Sequence, residues 1–249
     1  MSTTTTGIII PCYNEEKRLN SNAFINFIQS HQDHVLCFVN DGSSDDTIQV
    51  LNEIKASQPD RVKVIDMNEN VGKAEAVRAG ALGLYASTDV DFIGFIDADL
   101  STDFEDFKSL VQTLKGDEKL EMVYGSRNKE ESQNVDRDFF RNIFSNIVKT
   151  FIYLILRLHI EDTQCGAKVF RRELIGVSFT QAFLTRWLFD IEVFIRLKRH
   201  YSPENVMNYI YEQPLKRWVH VDDSKLGLKD AIQIPYSLIS IWYSYKIAA

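Results

Sequence analysis

Two aspartates at the end of an apolar run are the residues best suited to chemistry. Asp97 and Asp99 follow Phe92–Ile96, a run that predicts a buried strand. Residues two apart in extended backbone point the same way, so both carboxylates face one side of the strand end. Oxygen ligands of this kind suit Mg²⁺ or Mn²⁺, which is usually shared with phosphate oxygens and stabilises a departing diphosphate. The pair therefore predicts a divalent cation as cofactor.

Polar segments also follow other apolar runs. Pro11–Glu16 follows Ile8–Ile10, and Asn40–Ser43 follows Val35–Val39. Each segment alone is typical of an ordinary turn, because Asp, Asn and Gly are common turn formers. Acidic residues at three strand ends are more than turn formation requires, so the segments indicate one shared site.

Short β-branched runs alternate with helical periodicity in the first half of the chain. The predicted strands are Ile8–Ile10, Val35–Val39, Val62–Ile65 and Phe92–Ile96, and the predicted helices are Leu19–Ser30, Asp45–Ser57 and Lys73–Tyr85. This alternation predicts an α/β fold with a mostly parallel sheet flanked by helices. Ligands of such sheets bind beyond the carboxyl ends of the strands, which is where the polar segments lie.

The second half loses this alternation and contains two long apolar helical patterns. Phe139–Leu158 has a wide apolar face opposite polar residues, and Leu226–Ile247 is rich in Tyr, Trp, Ile and Leu. Amphipathic helices either pack over a sheet or lie on a membrane surface, and the sequence leaves both alternatives open.

The composition is that of a soluble globular protein, with 45% hydrophobic and 25% charged residues among 249. The net charge of −7 argues against a nucleic-acid partner. Three well-separated cysteines, Cys12, Cys37 and Cys165, fit a reducing compartment. The amino terminus lacks a signal-peptide pattern, and the most apolar stretch, Phe151–Leu158, is too short to span a bilayer. We therefore expect a cytoplasmic protein without a membrane-spanning helix.

Several common site motifs are absent from the sequence. The glycine-rich motifs that bind dinucleotides or nucleotide phosphates do not occur, nor do the Gly-x-Ser-x-Gly and His-Glu-x-x-His motifs. Asn70–Lys73 could form a turn in which Lys73 reaches an anion, or Lys73 could be an ordinary solvated lysine at a helix start. The sequence leaves these two interpretations open.

Taken in order, the polar segments resemble the signatures of the inverting glycosyltransferases of family 2. The matching segments span about residues 7–230 and are Ile10–Glu15, Val39–Thr47, Asn70–Lys73, Asp97–Leu100 and Gly125–Arg127. Within that family, three further segments resemble the dolichyl-phosphate β-glucosyltransferase branch: Asp162–Lys168, Trp187–Glu192 and Ser224–Leu226. Dolichyl-phosphate mannosyltransferases are the next most similar branch.

This resemblance implies a GT-A fold, a nucleotide-diphosphate sugar donor (UDP-glucose favoured) and a site built from the matching residues. The implied nucleotide-sugar-binding residues are Pro11, Tyr13, Asn14, Glu15, Asp41, Gly72, Lys73, Asp97, Ala98 and Asp99, and the metal ligands are Asp97 and Asp99. Arg127 is implied as a catalytic cation beside phosphate or sugar. Where the mannosyltransferase pattern has a glutamine ligand, this chain has Ser101, so water could take that place. We expect one domain over residues 1–249, with a nucleotide-sugar-binding half (7–130) and an acceptor-binding half (131–249).

The nature of the acceptor decides which further residues are needed. A phosphate monoester has a second pKa of about 6, so it is mostly a dianion at pH 7 and needs cations rather than a base. The resemblance implies that Arg141, Ser145 and Lys225 bind this phosphate, with Lys216 and Arg217 nearby. A hydroxyl acceptor would instead need a carboxylate base, and Asp162, Asp190 and Glu192 are the candidates.

The predicted function is metal-assisted transfer of a hexose, glucose favoured, to a polyprenyl or dolichyl phosphate at the cytoplasmic face of a membrane. Two alternatives stay open: a soluble enzyme acting on a glycan or other hydroxyl, and a polyprenyl-phosphate mannosyltransferase using GDP-mannose. A nucleotidyltransferase is disfavoured, because no glycine-rich loop with an arginine follows the first strand. A non-catalytic binding module is disfavoured by the intact Asp97 and Asp99. The sequence does not decide between Mg²⁺ and Mn²⁺, nor the oligomeric state.

Overall fold

The computed structural model describes residues 5–127, 148–217 and 228–247. Its first part contains β1 (Thr6–Cys12), α1 (Ser21–Ser30), β2 (His34–Asn40), α2 (Thr47–Ser57), β3 (Val62–Asp66), α3 (Lys73–Ser87), β4 (Phe92–Phe95), α4 (Phe104–Gly116) and β5 (Met122–Ser126). A helix described over residues 148–156, α5, precedes β6 (Lys168–Arg171), α6 (Arg172–Ser178), α7 (Phe189–Tyr201), β7 (Ile210–Pro214) and α8 (Leu228–Ile247). The strands and helices predicted for the first half all occur.

The described strands form one sheet in the order β3-β2-β1-β4-β6-β5-β7. β1 is parallel to β2 and β4, and β2 is parallel to β3. β6 is antiparallel to both neighbours, β4 and β5, whereas β5 is parallel to β7. The predicted mostly parallel sheet is therefore confirmed, and the carboxyl ends of all strands except β6 meet at one edge. The residues that precede β6 reach this same edge.

β6 and β7 come from the predicted acceptor-binding half, 131–249, and the other strands from the half at 7–130. Because β6 inserts between β4 and β5, the two halves contribute to one continuous sheet. The prediction of one domain over residues 1–249 includes residues outside the described ranges and stays a prediction.

Two apolar clusters cover the two faces of the sheet. Side chains alternate along β1, so Ile8 and Ile10 belong to one cluster and Ile9 to the other. Helices α1, α2 and α4 pack on the Ile8 side, and α3, α6 and α7 pack on the Ile9 side. A Cβ on Gly80 would lie 2.5 Å from Ile9 Cγ2, so this glycine allows α3 to approach β1 closely. The packed layers hold the strands in register and leave the loops at the carboxyl edge to form a site.

Helices α5 and α8 each have a buried and an exposed side. Ile152 and Leu156 of α5, and Leu238 and Ile241 of α8, are buried in the cluster on the Ile9 side. Large apolar side chains of these helices are nevertheless exposed, namely Phe151, Tyr153, Leu154, Tyr236, Ile239, Trp242 and Tyr243. The packing alternative is therefore confirmed for the described parts of these helices, and the alternative of a membrane surface stays a prediction. Residues 139–147 and 226–227 of the predicted helices lie outside the described residues.

None of the helices in the described ranges combines the length and the apolar character needed to cross a bilayer.

Candidate active site

Asp97 and Asp99 lie in a tight turn directly after β4. Leu100 N donates to Asp97 O at 3.1 Å, and Ser101 N donates to Asp99 Oδ1 at 2.9 Å. Ala98 between them is buried, whereas the two carboxylates are 31% and 25% exposed. The turn therefore presents both predicted metal ligands at the carboxyl edge of the sheet.

Each of these carboxylates has a cation from another segment beside it. Lys73 Nζ forms an ion pair with Asp97 Oδ1, and Arg18 Nη2 lies 3.8 Å from Asp99 Oδ2. Burial lowers the pKa of Lys73, but Asp97, Asp190 and Asp99 outweigh it, and the pKa lies above its ordinary value. Lys73 is therefore a charged residue of the site and not a solvated lysine.

The donor set at this turn suits a hard cation only in combination with other ligands. Within the described residues, no group of three or more His, Cys, Asp and Glu side chains could hold a metal ion. Two carboxylates can nevertheless bind Mg²⁺ or Mn²⁺ when phosphate oxygens and water complete the coordination. Ser101 contacts Asp99 through its backbone amide, as described above.

The segment 162–168 packs against Asp97. A Cβ on Gly166 would lie 2.0 Å from Asp97 Oδ2, so glycine is needed for the carboxylate to lie against this backbone. Lys168 is fully buried, with its Nζ 2.8 Å from Asp190 Oδ1 and 2.7 Å from the acceptor Cys165 O. Burial raises the pKa of Asp190, and Lys168 offsets this rise only in part. A buried ion pair thus lies next to the candidate metal ligands.

Arg127 follows β5 and is held by Asp162 through two parallel hydrogen bonds. Arg127 Nε donates to Asp162 Oδ2 at 2.7 Å, and Nη2 donates to Oδ1 at 2.8 Å. The Arg127 backbone amide also donates to Oδ2 at 3.1 Å. Burial alone would raise the pKa of Asp162, but Arg127 outweighs it and holds the pKa below its ordinary value. Asp162 is therefore an ionised partner that orients Arg127.

The loops after β1 and β2 are hydrogen-bonded to each other. Asn14 N donates to Ser43 Oγ at 2.9 Å, and Ser44 N donates to Asn14 Oδ1 at the same distance. Glu15 N donates to Thr47 Oγ1 at 2.8 Å. Asn14 adopts a positive φ of 50°, which asparagine tolerates better than most residues. These bonds fix the two polar loops as one unit at the sheet edge.

The predicted nucleotide-sugar-binding residues all lie at this edge. They lie at the end of β1, after β1, β2 and β4 or at the start of α3, and they are Pro11, Tyr13, Asn14, Glu15, Asp41, Gly72, Lys73, Asp97, Ala98 and Asp99. Pro11 pairs with Val39 inside the sheet, and Tyr13 is 37% exposed. Their binding roles stay predictions, and the structure brings them to one rim.

Asp41 is buried and binds the loop that precedes α3. Its Oδ1 accepts from Val71 N at 2.8 Å, and its Oδ2 accepts from Gly72 N at 2.9 Å and Asn70 Nδ2 at 3.1 Å. Burial raises the pKa of Asp41, although the two backbone amides oppose this rise. Gly72 has a φ of +105°, a conformation that favours glycine. Asp41 therefore shapes the loop that presents Lys73.

Arg186 was not among the predicted site residues, yet it covers the same loop. Its Nη2 donates to Asn70 O at 3.1 Å, and its backbone oxygen accepts from Ala74 N at 3.0 Å. A Cβ on Gly72 would lie 2.7 Å from Arg186 Cβ. Arg186 directly precedes Trp187–Glu192, a segment that resembles one branch of the family. This adjoining segment is the feature of the sequence that could have indicated Arg186.

Two further candidate bases have structural partners. Asp190 is paired with Lys168, as described above. Glu192 is fully buried, and its carboxylate accepts from Leu184 N at 3.0 Å and from Tyr245 Oη at 3.1 Å. Burial raises the pKa of Glu192, and these donors oppose the rise. Glu192 therefore joins α7 to the 184–185 segment and to α8.

The predicted acceptor residues Arg141, Ser145 and Lys225 lie outside the described residues. The two cations expected nearby, Lys216 and Arg217, are described, and their backbone amides donate to Asp106 of α4. The distances are 3.1 Å from Lys216 N to Oδ1 and 2.9 Å from Arg217 N to Oδ2. Asp106 thus holds the backbone at Lys216 and Arg217.

Comparison with known families and proteins decides the class of this site. The profile of glycosyl transferase family 2 matches residues 7–179, which is most of the chain. The chain belongs to this family. It is a glycosyltransferase, and the turn with Asp97 and Asp99, the Asp41 loop and Arg127 all lie within the matched range.

Individual relatives agree with this assignment. A dolichyl-phosphate β-glucosyltransferase of Drosophila melanogaster is 32% identical over 260 residues, covering 98% of this chain and 76% of the relative. The protein of the same name from Saccharomyces cerevisiae is 29% identical and covers 97% and 75%. A solved structure of Mycobacterium tuberculosis glucosyl-3-phosphoglycerate synthase with Mn²⁺, UDP-glucose and phosphoglyceric acid aligns with a TM-score of 0.69. At 19% identity, over 96% of this chain and 80% of that one, it confirms the predicted GT-A fold.

Proposed function

We propose that this family-2 glycosyltransferase transfers glucose from UDP-glucose to a polyprenyl phosphate such as dolichyl phosphate. A phosphate oxygen of the acceptor forms a bond to C1 of glucose while the bond from C1 to the donor diphosphate breaks. UDP leaves with the electron pair, and the configuration at C1 is inverted. The similarity to dolichyl-phosphate β-glucosyltransferases along 97–98% of the chain supports this donor sugar and acceptor.

The observation that carries this proposal is that each candidate base already has its own partner. Asp162 accepts from Arg127, Asp190 is paired with Lys168, and the buried Glu192 accepts from backbone amides. A hydroxyl acceptor needs a base to remove its proton, whereas a phosphate dianion does not. The arrangement therefore favours a phosphate nucleophile.

The donor diphosphate would bind at the turn formed by Asp97–Asp99. The two carboxylates would hold a divalent cation, which supplies positive charge to the departing diphosphate. Lys73 and Arg18 lie beside these carboxylates and can form charge-assisted hydrogen bonds to phosphate oxygens. The loops after β1 and β2, with Tyr13 exposed at their edge, would receive the nucleoside.

The acceptor phosphate would bind on the side of the site formed by the second half of the chain. Arg141, Ser145 and Lys225 are proposed as its ligands. Arg127 lies between the two halves at the end of β5, and its paired geometry suits contact with a phosphate or a sugar oxygen.

A polyprenyl acceptor requires the enzyme to reach a bilayer surface, and α8 offers a suitable face. Tyr236, Ile239, Trp242 and Tyr243 are exposed, and Lys246 Nζ lies 4.6 Å from the Trp242 ring. Residues 233–246 include no Asp or Glu, although the chain has a net charge of −7. Aromatic residues with a basic flank suit the interface of a bilayer with anionic lipids. We therefore propose peripheral association with the cytoplasmic face of a membrane.

The proposal is tested by offering matched donors and a single acceptor. Purified protein is incubated with polyprenyl phosphate, Mn²⁺ or Mg²⁺, and UDP-glucose, UDP-N-acetylglucosamine or GDP-mannose. We expect UDP release and a glucosylated lipid with UDP-glucose alone. Transfer only from GDP-mannose would establish the mannosyltransferase alternative, and release without a lipid product would contradict the proposed acceptor.

A further inference from the structure

We infer that Glu212 is a positioning residue that sets the orientation of Arg127 through Asp162. This inference rests on the proposed function, because it assumes that Arg127 contacts donor or acceptor during transfer. The hydrogen bonds on which it depends belong to the described structure and can be tested without substrate.

Glu212 is fixed by the sheet at a defined place. It lies on β7 directly opposite Tyr124 of β5, and Tyr124 Oη donates to Glu212 Oε2 at 3.1 Å. Tyr124 is fully buried, and burial together with the charge of Glu212 raises the pKa of Tyr124. The phenol therefore keeps its proton and remains a donor. One end of this hydrogen-bond chain is thus embedded in the core.

The other end of the chain is the loop that contains Asp162. Glu212 Oε2 also accepts from Glu161 N at 2.9 Å, and Oε1 accepts from Asp162 N at 2.8 Å. One carboxylate therefore holds two successive backbone amides. Arg127 donates two side-chain hydrogen bonds to Asp162. By fixing the backbone of Asp162, Glu212 therefore also fixes the orientation of the Arg127 guanidinium.

Three donors on one carboxylate indicate that Glu212 holds the surrounding segments in place. Glu212 also lines a cavity of about 430 Å³ with Ser126, Leu158, His159 and Ile160. Ser126, which lines this cavity, directly precedes Arg127 in the sequence. The two carboxylate oxygens of Glu212 already accept from two backbone amides and a phenol. The structure thus assigns Glu212 to the support of Arg127.

Glutamine is a near-isosteric replacement that should break this support. Its side chain has a single acceptor oxygen, and in either orientation its NH₂ group would face a backbone amide, Glu161 N or Asp162 N, which is itself a donor. We expect Glu212→Gln to lower kcat for transfer by about 10- to 100-fold, with a smaller change in KM for the donor.

Gln213→Ala is the matched control. Gln213 is the next residue of β7, but it faces α4, where Thr113 Oγ1 donates to Gln213 Oε1 at 2.6 Å and Gln213 Nε2 donates to Ser109 Oγ at 2.8 Å. This variant disturbs the same strand without touching the 161–162 loop. We expect it to lose some stability and to keep the kcat of the wild type.

The deciding experiment combines amide hydrogen exchange with a double-mutant cycle. Exchange at residues 161 and 162 should accelerate in Glu212→Gln and not in Gln213→Ala. In an Arg127→Ala background, Glu212→Gln should cost less than about threefold in kcat, because its effect acts through the missing arginine. Should Glu212→Gln fail to fold, Glu212→Asp is measured instead, because its shorter side chain cannot reach both amides.

The outcomes separate this inference from the proposed function. Unchanged exchange at 161–162, or an equal loss of kcat in both backgrounds, would overturn the role of Glu212. If the wild type transfers no glucose to polyprenyl phosphate, the proposed function fails, while the exchange result still decides whether Glu212 fixes Asp162.

Discussion

Lys168 and Asp190 form an ion pair inside the protein, with Nζ and Oδ1 2.8 Å apart and both side chains buried. The pair connects the start of β6 to the first turn of α7. It also lies beside Lys73, whose charge opposes the rise in the pKa of Asp190 that burial causes. Two segments that resemble one branch of the family, Asp162–Lys168 and Trp187–Glu192, are thereby joined next to the candidate metal ligands.

Removal of one partner of this pair should strongly destabilise the protein. Lys168→Met leaves Asp190 buried and uncompensated, and we expect the free energy of unfolding to fall by about 3–5 kcal/mol. Lys168→Met combined with Asp190→Leu removes both charges and should recover part of this loss. Urea unfolding is measured for the wild type, for Lys168→Met and Asp190→Leu singly, and for the double variant. Losses of the two single variants that simply add in the double variant would contradict a coupled pair.

Asp99→Asn should lower transfer by about 100-fold or more, because one charge of the candidate metal site is lost. The fold should persist, since Asp99 is partly exposed outside the core. Asp89→Asn, an exposed aspartate near the end of α3, is the control and should behave as wild type. Initial rates are measured over a range of Mn²⁺ concentrations, and full wild-type activity in excess chelator would refute the metal assignment.

Asp41→Ala should weaken UDP binding by about tenfold, because the Val71 and Gly72 amides lose their acceptor and the loop before Lys73 loosens. The free energy of unfolding should fall by about 1–3 kcal/mol for the same reason. Calorimetric titration with UDP measures the affinity, with the exposed Asp60→Ala as control. An unchanged affinity for UDP would separate this loop from the donor site.

Stability should fall below neutral pH because of His34 at the start of β2. Burial lowers the pKa of His34 below its ordinary value. Asp33 opposes this lowering, whereas the charges of His31 and Lys108 add to it. Among the described residues its Nε2 has no hydrogen-bond partner. The unfolded chain, with a histidine pKa of about 6.5, therefore binds the proton more readily than the native state. The free energy of unfolding should decrease as the pH falls below about 6.5 and through the lower pKa of the folded state.

The contribution of His34 is isolated by comparison of variants. His34→Gln should reduce the dependence of unfolding free energy on pH between 7.5 and 5.5 (chosen to span a pKa of about 6.5). His200→Gln replaces an exposed histidine and should leave the dependence unchanged. Equal slopes for His34→Gln and wild type would show that another group is responsible.

The placement of Asp97 and Asp99 could be predicted because it depends on local features. An apolar run identifies a buried strand, and parallel sheets present their carboxyl ends at one edge, whatever the details of packing. The same reasoning located Asp41 and the loop after β1. It could not show that both oxygens of Asp41 bind the 70–72 loop, since that contact joins residues about 30 positions apart.

The second half was less predictable, because its contacts depend on an inserted strand. β6 is four residues long and antiparallel between β4 and β5, which no periodicity in the first half suggests. This insertion brings Asp162 to Arg127 and Gly166 to Asp97. The buried Lys168 begins β6, but its partner Asp190 lies on α7, so their pairing needed three-dimensional information.

The central claim is that the acceptor is a phosphate and needs no general base. Its most direct test is kcat/KM with UDP-glucose for two matched lipids, a polyprenyl phosphate and the polyprenol of the same chain length, in the same detergent. We predict measurable transfer to the phosphate and a kcat/KM for the alcohol at least about 1000-fold lower, since the candidate bases Asp162, Asp190 and Glu192 are each held by a partner. Comparable transfer to the alcohol would contradict the account.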